Sequence, residues 1–211
     1  MTATRRVLPI RRRAFGAIAI TLTAIALADA AIAAGATGPN PSDWNLDRLM
    51  STLARNKAGR ATFVETKYLA IAAQPVESSG ELVFAAPDHL EKHTLSPKPE
   101  HLVVDGDKLT IERNQRKYTL PLAQYPELDA FIESIRATLA GNRYALEQVY
   151  RVAVTGRGDD WTLTLTPLDA RMLKVVSTIT LDGTRDRLHR VAIQQADGDR
   201  SVMQLQDRPA N

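Results

Sequence analysis

Trp161-Thr162-Leu163-Thr164-Leu165-Thr166 alternates large apolar and hydroxyl side chains without a break. Successive side chains of an extended strand point to opposite faces, so this segment presents one dry face and one wet face. Val175, Ser177, Ile179 and Leu181 repeat the period of two. Asp182-Gly183 and Asp197-Gly198 read as hairpin turns, the first ahead of Val191 and Ile193 and the second ahead of Met203 and Leu205. The C-terminal third is therefore predicted as antiparallel hairpins. The chain has no strand-helix-strand alternation, which argues against a parallel sheet.

Upstream, the pattern changes once and then returns. Between Pro126 and Gly141, Leu128, Phe131, Ile132, Ile135 and Leu139 fall on one face of a helix, leaving Glu133 and Arg136 to point elsewhere. Before it, Ser78-Ser79-Gly80, Ala86-Pro87-Asp88, Ser96-Pro97-Lys98-Pro99 and Asp105-Gly106-Asp107 read as turns. They separate strands predicted over 61–71, 81–85, 89–95, 101–104, 108–113 and 116–120, most economically a meander. At the start of this region Ser42 or Asp43 is placed to cap a short helix carrying Leu46, Leu49, Met50 and Leu53, with Gly59 near its end. The expected fold class is mainly β (α+β), a curved antiparallel sheet with short amphipathic helices across its concave side. Such an arrangement encloses either a packed core or a cavity.

The N-terminal segment has a different composition. Arg5, Arg6, Arg11, Arg12 and Arg13 precede an uncharged run from Ala14 to Ala28, the pattern of a basic region followed by the apolar core of an export signal. Small-x-small patterns at Ala28-Asp29-Ala30 and Ala34-Gly35-Ala36 place cleavage near Ala30 or Ala36. The expectation is a cleavable signal peptide over 1–36 and one domain over 37–211. The uncharged run is short and alanine-rich for a membrane span, which needs about 20 strongly apolar residues. Without residues 1–36, Lys and Arg fall from 27 to 22 and Asp and Glu from 24 to 23, so the net charge passes from +3 to −1. The basicity belongs to the leader, and the remainder lacks the clustered positive charge that a nucleic-acid partner requires. No cysteine is present, so disulfides, thiolate chemistry and a lipid-modified cysteine are all excluded.

Motifs for catalysis or metal binding are weak. His89-Leu90-Glu91-Lys92-His93 puts both histidines and Glu91 on one face of a strand, but imidazoles four positions apart are too distant for one ion, and a surface strand is the expected reading. Asp105-Gly106-Asp107 and Asp197-Gly198-Asp199 are explained by turn formation without calcium. Neither a Gly-x-Ser-x-Gly nucleophile turn nor a phosphate loop occurs. The expectation is a protein that is not an enzyme and uses neither metal nor cofactor.

The ordered series Phe63-Val64-Glu65-Thr66-Lys67, Ser79-Gly80-Glu81-Leu82-Val83-Phe84, Pro87-Asp88 and Leu102-Val103-Val104-Asp105-Gly106-Asp107 resembles the LolA-like periplasmic lipoprotein-carrier family. Leu139-Ala140-Gly141-Asn142, the strand from Trp161 to Pro167 and Asp197-Gly198-Asp199-Arg200-Ser201 extend the similarity through the second half. The resemblance implies an incomplete β-barrel under a helical lid, a periplasmic location and a hydrophobic cavity for acyl chains. It also implies a lipoprotein or other acylated lipid as cargo, an inner-membrane exporter as donor, an outer-membrane acceptor and a monomeric carrier. Leu82, Phe84, Leu102, Val104, Phe131, Ile132, Ile135 and Leu139 are the residues expected to line that cavity. In the carriers that it resembles, an arginine directly before the proline matching Pro87 holds the lid closed; this chain has Ala86 there. That departure points to a side branch with a different lipid cargo and leaves Arg113 or Arg116 as substitutes, although solvated strand positions are their simpler reading. The competing role is an accessory module whose apolar helix faces dock to a lipid or acyl-product exporter.

Overall fold

The computed structural model describes residues 43–207, so the reading of residues 1–36 as a signal peptide lies outside the described residues. Helix α1 (Leu46–Leu53) leads into β1 (Ala58–Tyr68), β2 (Val76–Ala85), β3 (His89–Ser96), β4 (Glu100–Asp105), β5 (Lys108–Arg113) and β6 (Arg116–Pro121). Helices α2 (Pro126–Leu139) and α3 (Arg143–Val149) follow. The chain then returns to β7 (Tyr150–Arg157), β8 (Asp160–Pro167), β9 (Val176–Thr184), β10 (Arg187–Gln195) and β11 (Arg200–Asp207). All eleven strands join one antiparallel sheet in the order β6-β5-β4-β3-β2-β1-β11-β10-β9-β8-β7. It is two meanders joined where β1 pairs with β11, with Phe63 opposite Leu205. The outermost strands, β6 and β7, do not pair with each other, so the barrel is incomplete; α2 and α3 carry the chain from one edge to the other.

The reach of α2 requires the sheet to curl. Its Ile132 is buried in a cluster with Val104 and Leu109 of β4 and β5, while its Ala137 is buried with Leu163 and Leu165 of β8. Strands β5 and β8 are eight places apart in the sheet, roughly 38 Å if it were flat. Fourteen helical residues span only about 21 Å. One helix serves both clusters because the sheet bends around it.

One end of the enclosed space is filled. Leu49, Met50 and Leu53 of α1 and Leu146 of α3 are buried with Trp161, Leu163, Leu165, Ile179 and Leu181. Trp44 meets Trp161 edge to face at 6.4 Å between ring centroids. Trp161 Nε1 donates to the Arg185 carbonyl at 2.9 Å, so its one polar atom is satisfied.

Several local expectations shift. The cap of α1 is Asn45, whose side chain accepts from the Arg48 amide, rather than Ser42 or Asp43, and Gly59 lies in β1 instead of at the helix end. Helix α3 was not foreseen; it has only seven residues, and Asn142 caps it by accepting from the Ala145 amide. Gly80 and Gly183 lie inside β2 and β9 instead of in turns. A Cβ at Gly80 would come within 1.8 Å of the His93 carbonyl oxygen, and one at Gly183 within 2.2 Å of the Trp161 ring. Both glycines are required by close approach, a role that the sequence does not distinguish from turn formation.

Gly183→Val should therefore push against the Trp161 ring. A loss of about 2–3 kcal/mol in urea unfolding is expected. A change below about 0.5 kcal/mol would show that the Trp161 seat tolerates displacement.

Candidate functional site

Between the filled end and the β4-β5 end lies a hollow of about 920 Å³, near the top of the range of roughly 300–1,000 Å³ for ligand sites. Its roof is α2, which contributes Leu128, Phe131, Ile132, Ile135 and Leu139. Its floor and walls are inward positions of the sheet: Leu82 and Phe84 of β2, Leu102 and Val104 of β4, Val191 and Ile193 of β10, and Met203 and Leu205 of β11. Strand alternation makes this face apolar: in the paired register Phe84 meets Leu90 and Leu90 meets Val104, so one face of three adjacent strands is aliphatic and aromatic. All eight residues named from the sequence lie along this hollow. Phe84, Val104 and Ile132 are buried, while Leu82, Leu102, Phe131, Ile135 and Leu139 keep partial exposure. Interiors normally pack to the density of organic crystals, and inward aliphatic side chains with free surface mark a space that protein atoms do not fill.

Polar groups interrupt the apolar lining, among them Arg60, Arg187 and Asp207. Glu65 and Lys67 of β1, Lys92 of β3 and Ser201 of β11 also border the hollow. Glu65 is buried, with Lys92 Nζ at 2.6 Å, Ser201 Oγ donating at 2.7 Å and Lys67 Nζ at 3.6 Å. Lys92 Nζ also lies 4.9 Å from the centre of the Phe63 ring. Burial by itself would raise the Glu65 carboxyl, but the charge of Lys92, hydrogen bonds from Lys92 and Ser201, and the charge of Lys67 outweigh it and hold the group below its ordinary 4.5. These residues were absent from the sequence-based site. The period-two rule puts Glu65 on the face of Phe63 and Lys92 on that of Leu90, but not Ser201 beside them.

The roof is fastened at its C-terminal half. Arg136, expected to point away, has a side chain only 13% exposed and donates from Nη1 to the Gly106 carbonyl at 2.9 Å. Its Nη2 lies 3.7 Å from Asp88, beside Pro87. A guanidinium on the helix thus reaches the sheet rim at the corner where Ala86 supplies none. Its Nε has no hydrogen-bond partner, so the fastening is incompletely satisfied. Arg113 and Arg116 are exposed on the β5-β6 hairpin, with Arg113 3.8 Å from Glu100.

The histidine motif gains a member from the pairing of β3 with β4. His101 stands opposite His93, and the Glu91 carboxylate lies between His89, His93 and His101. Hydrogen bonds with His89 and His93 outweigh burial and, with His101, hold the Glu91 carboxyl at about 2.

The chain matches, over residues 34–207, the model of a family described as outer membrane lipoprotein carrier protein LolA-like. No curated protein matches it. Among solved structures, a LolA superfamily protein from Nitrosomonas europaea is similar at 12% identity, covering 79% of this chain and 93% of that one with a TM-score of 0.43. The lipoprotein LppX of Mycobacterium tuberculosis is similar at 11% identity, with 78% and 93% coverage and a TM-score of 0.43. A putative outer membrane lipoprotein-sorting protein domain from Vibrio parahaemolyticus is similar at 12% identity, with 79% and 93% coverage and a TM-score of 0.41.

Two outcomes follow from this geometry. The lowered Glu65 value means that its stabilising contribution is present above about pH 4.5 and is lost as the pH falls through the folded value. Glu65→Gln should lower stability at pH 7 and flatten the acid side of the stability profile; a profile parallel to that of the unaltered protein would contradict the assignment. Arg136→Ala should speed amide exchange across Ile132–Leu139 about tenfold, the ~1.5 kcal/mol of a hydrogen bond from a charged donor, without affecting β8 and β9. Unchanged protection in α2 would show that apolar contacts alone hold the roof.

Proposed function

This chain belongs to the LolA-like family of outer membrane lipoprotein carrier proteins, and we propose that it is a periplasmic carrier that holds acyl chains of a lipoprotein or related lipid in the hollow beneath α2. The observation that carries the reading is the unfilled apolar space itself: Leu82 and Leu102 on the sheet and Ile135 and Leu139 on the roof line a hollow of about 920 Å³. Alkyl tails suit such a lining because they require burial and no fixed polar geometry. Each methylene moved from water contributes about 0.8 kcal/mol, so a long chain gains affinity without a single hydrogen bond. Lys67 and Lys92 border the same space and offer a place for the polar linkage where tails meet headgroup or peptide.

Release is the other half of a carrier's task. When cargo leaves, α2 can settle onto the sheet, exchanging lipid contacts for protein contacts, so that the loaded and empty states remain close in free energy. The Arg136 fastening biases this balance toward the closed roof. In this reading residues 1–36 direct export and are removed, 37–211 act as one monomeric domain, an inner-membrane exporter supplies cargo and an outer-membrane component accepts it. No helix among the described residues is long and apolar enough to cross a membrane. An accessory module that docks to an exporter through its helices would present the apolar face of α2 outward, whereas that face covers the hollow. No catalytic role is assigned to any residue.

Native mass spectrometry with lipid extraction, on protein purified from its own periplasm, tests this reading. Acylated material should co-purify, and Ile135→Glu, which places a charge in the roof, should reduce it at least tenfold while the protein stays folded. Protein that is empty in both forms, or cargo retained equally by the variant, would overturn the proposal.

A further inference from the structure

The outward face of β3 and β4 carries a second constellation, unconnected with acyl-chain burial. Alternation turns Leu90 and Lys92 toward the hollow and His89, Glu91 and His93 to the opposite face. The antiparallel register sets His101 directly across from His93, with ring centroids 3.6 Å apart. Glu91 Oε2 lies 2.8 Å from His93 Nε2 and 3.3 Å from His101 Nε2, while Oε1 lies 2.8 Å from His89 Nε2. Donor atoms of Glu91, His93 and His101 all fall within 4.8 Å of one another.

We propose that His93, His101 and Glu91 form a binding site for a divalent transition metal of the zinc class. Two ligands bound tetrahedrally at 2.0–2.1 Å are about 3.3–3.4 Å apart. His101 Nε2 already stands at 3.3 Å from Glu91 Oε2, and His93 Nε2, at 2.8 Å, needs to move outward by about half an ångström. Two imidazole nitrogens and one carboxylate oxygen make a borderline donor set that favours Zn²⁺, Ni²⁺ or Cu²⁺ over the oxygen-seeking Ca²⁺ and Mg²⁺. His89, on the second oxygen of Glu91 and 3.8 Å from Asp105, orients the carboxylate as outer-shell partners do in metal sites. The side chains are 25–40% exposed, which leaves the site open to solvent and a fourth position for water. The metal joins β3 to β4 behind the paired Lys92 and Leu102, both residues of the wall of the hollow.

Calorimetric titration of the untagged full chain with ZnCl₂ tests the site. Saturable binding of one ion per chain is expected, with a rise in the unfolding temperature and no comparable heat from CaCl₂. His93→Ala and His101→Ala should each weaken binding more than about 100-fold and His89→Ala about 10–100-fold, whereas His189→Ala on β10 should leave it unchanged. Circular dichroism establishes that each variant is folded. Absence of saturable binding by the unaltered protein, equal binding of Ca²⁺, or zinc affinity unchanged in a folded His93→Ala/His101→Ala variant would overturn the proposal.

Discussion

A fourteen-residue helix that contributes to clusters at both ends of an eleven-stranded sheet sets the geometry of everything around it. Pairing β1 with β11 joins the two meanders, and the chain between β6 and β7 must cross the opening that the curled sheet leaves. That crossing is α2 and α3. The helices therefore act as a roof by topology, before any particular side chain is considered. The sheet cannot flatten without drawing one of the two clusters off α2.

The two faces that α2 buries are chemically different. Toward the filled end it offers Ser134, Ala137 and Thr138, small enough to allow neighbouring helices to approach. The two hydroxyls donate to the carbonyls of Phe131 and Ser134 at 2.6 and 2.7 Å, so their burial leaves no donor unmet. Gly141 completes the fit, since a Cβ there would come within 2.3 Å of the Met50 carbonyl oxygen of α1. Toward the hollow it offers the larger Phe131, Ile132, Ile135 and Leu139. Both tryptophans of the chain lie at the filled end, where their rigid rings interlock with each other. The hollow is lined mostly by flexible aliphatics, which can adapt to a tail whose length and conformation vary.

What the sequence makes legible here is periodicity. The alternation from Trp161 to Thr166 and the helical spacing from Leu128 to Leu139 identify a sheet and a roof, while the eight lining residues follow from the resemblance to the LolA-like carriers. Periodicity does not report which strands become neighbours. Pairing β1 with β11 brings Ser201 to Glu65, and pairing β3 with β4 brings His101 to the Glu91 carboxylate. Both constellations depend on register between segments distant in the chain or separated by a turn. Arg136 lies off the apolar stripe, as its place on the helical wheel indicates, but the wheel does not show that the sheet rim rises far enough for its long side chain to reach the Gly106 carbonyl. Glycine was equally ambiguous, since Gly183 and Gly198 both follow aspartate and only Gly198 sits in a turn, at φ +96°.

The account rests on a division between a filled end and an open one within a single fold. Methyl-resolved NMR during titration with a long-chain acyl amphiphile measures that division directly. Signals from Leu82, Leu102, Ile135 and Leu139 should shift in a saturable manner, while those from Leu163, Leu165, Ile179 and Leu181 stay in place. Shifts confined to surface methyls such as Ile71 and Leu95, or equal shifts at both ends, would contradict the hollow as the receptacle.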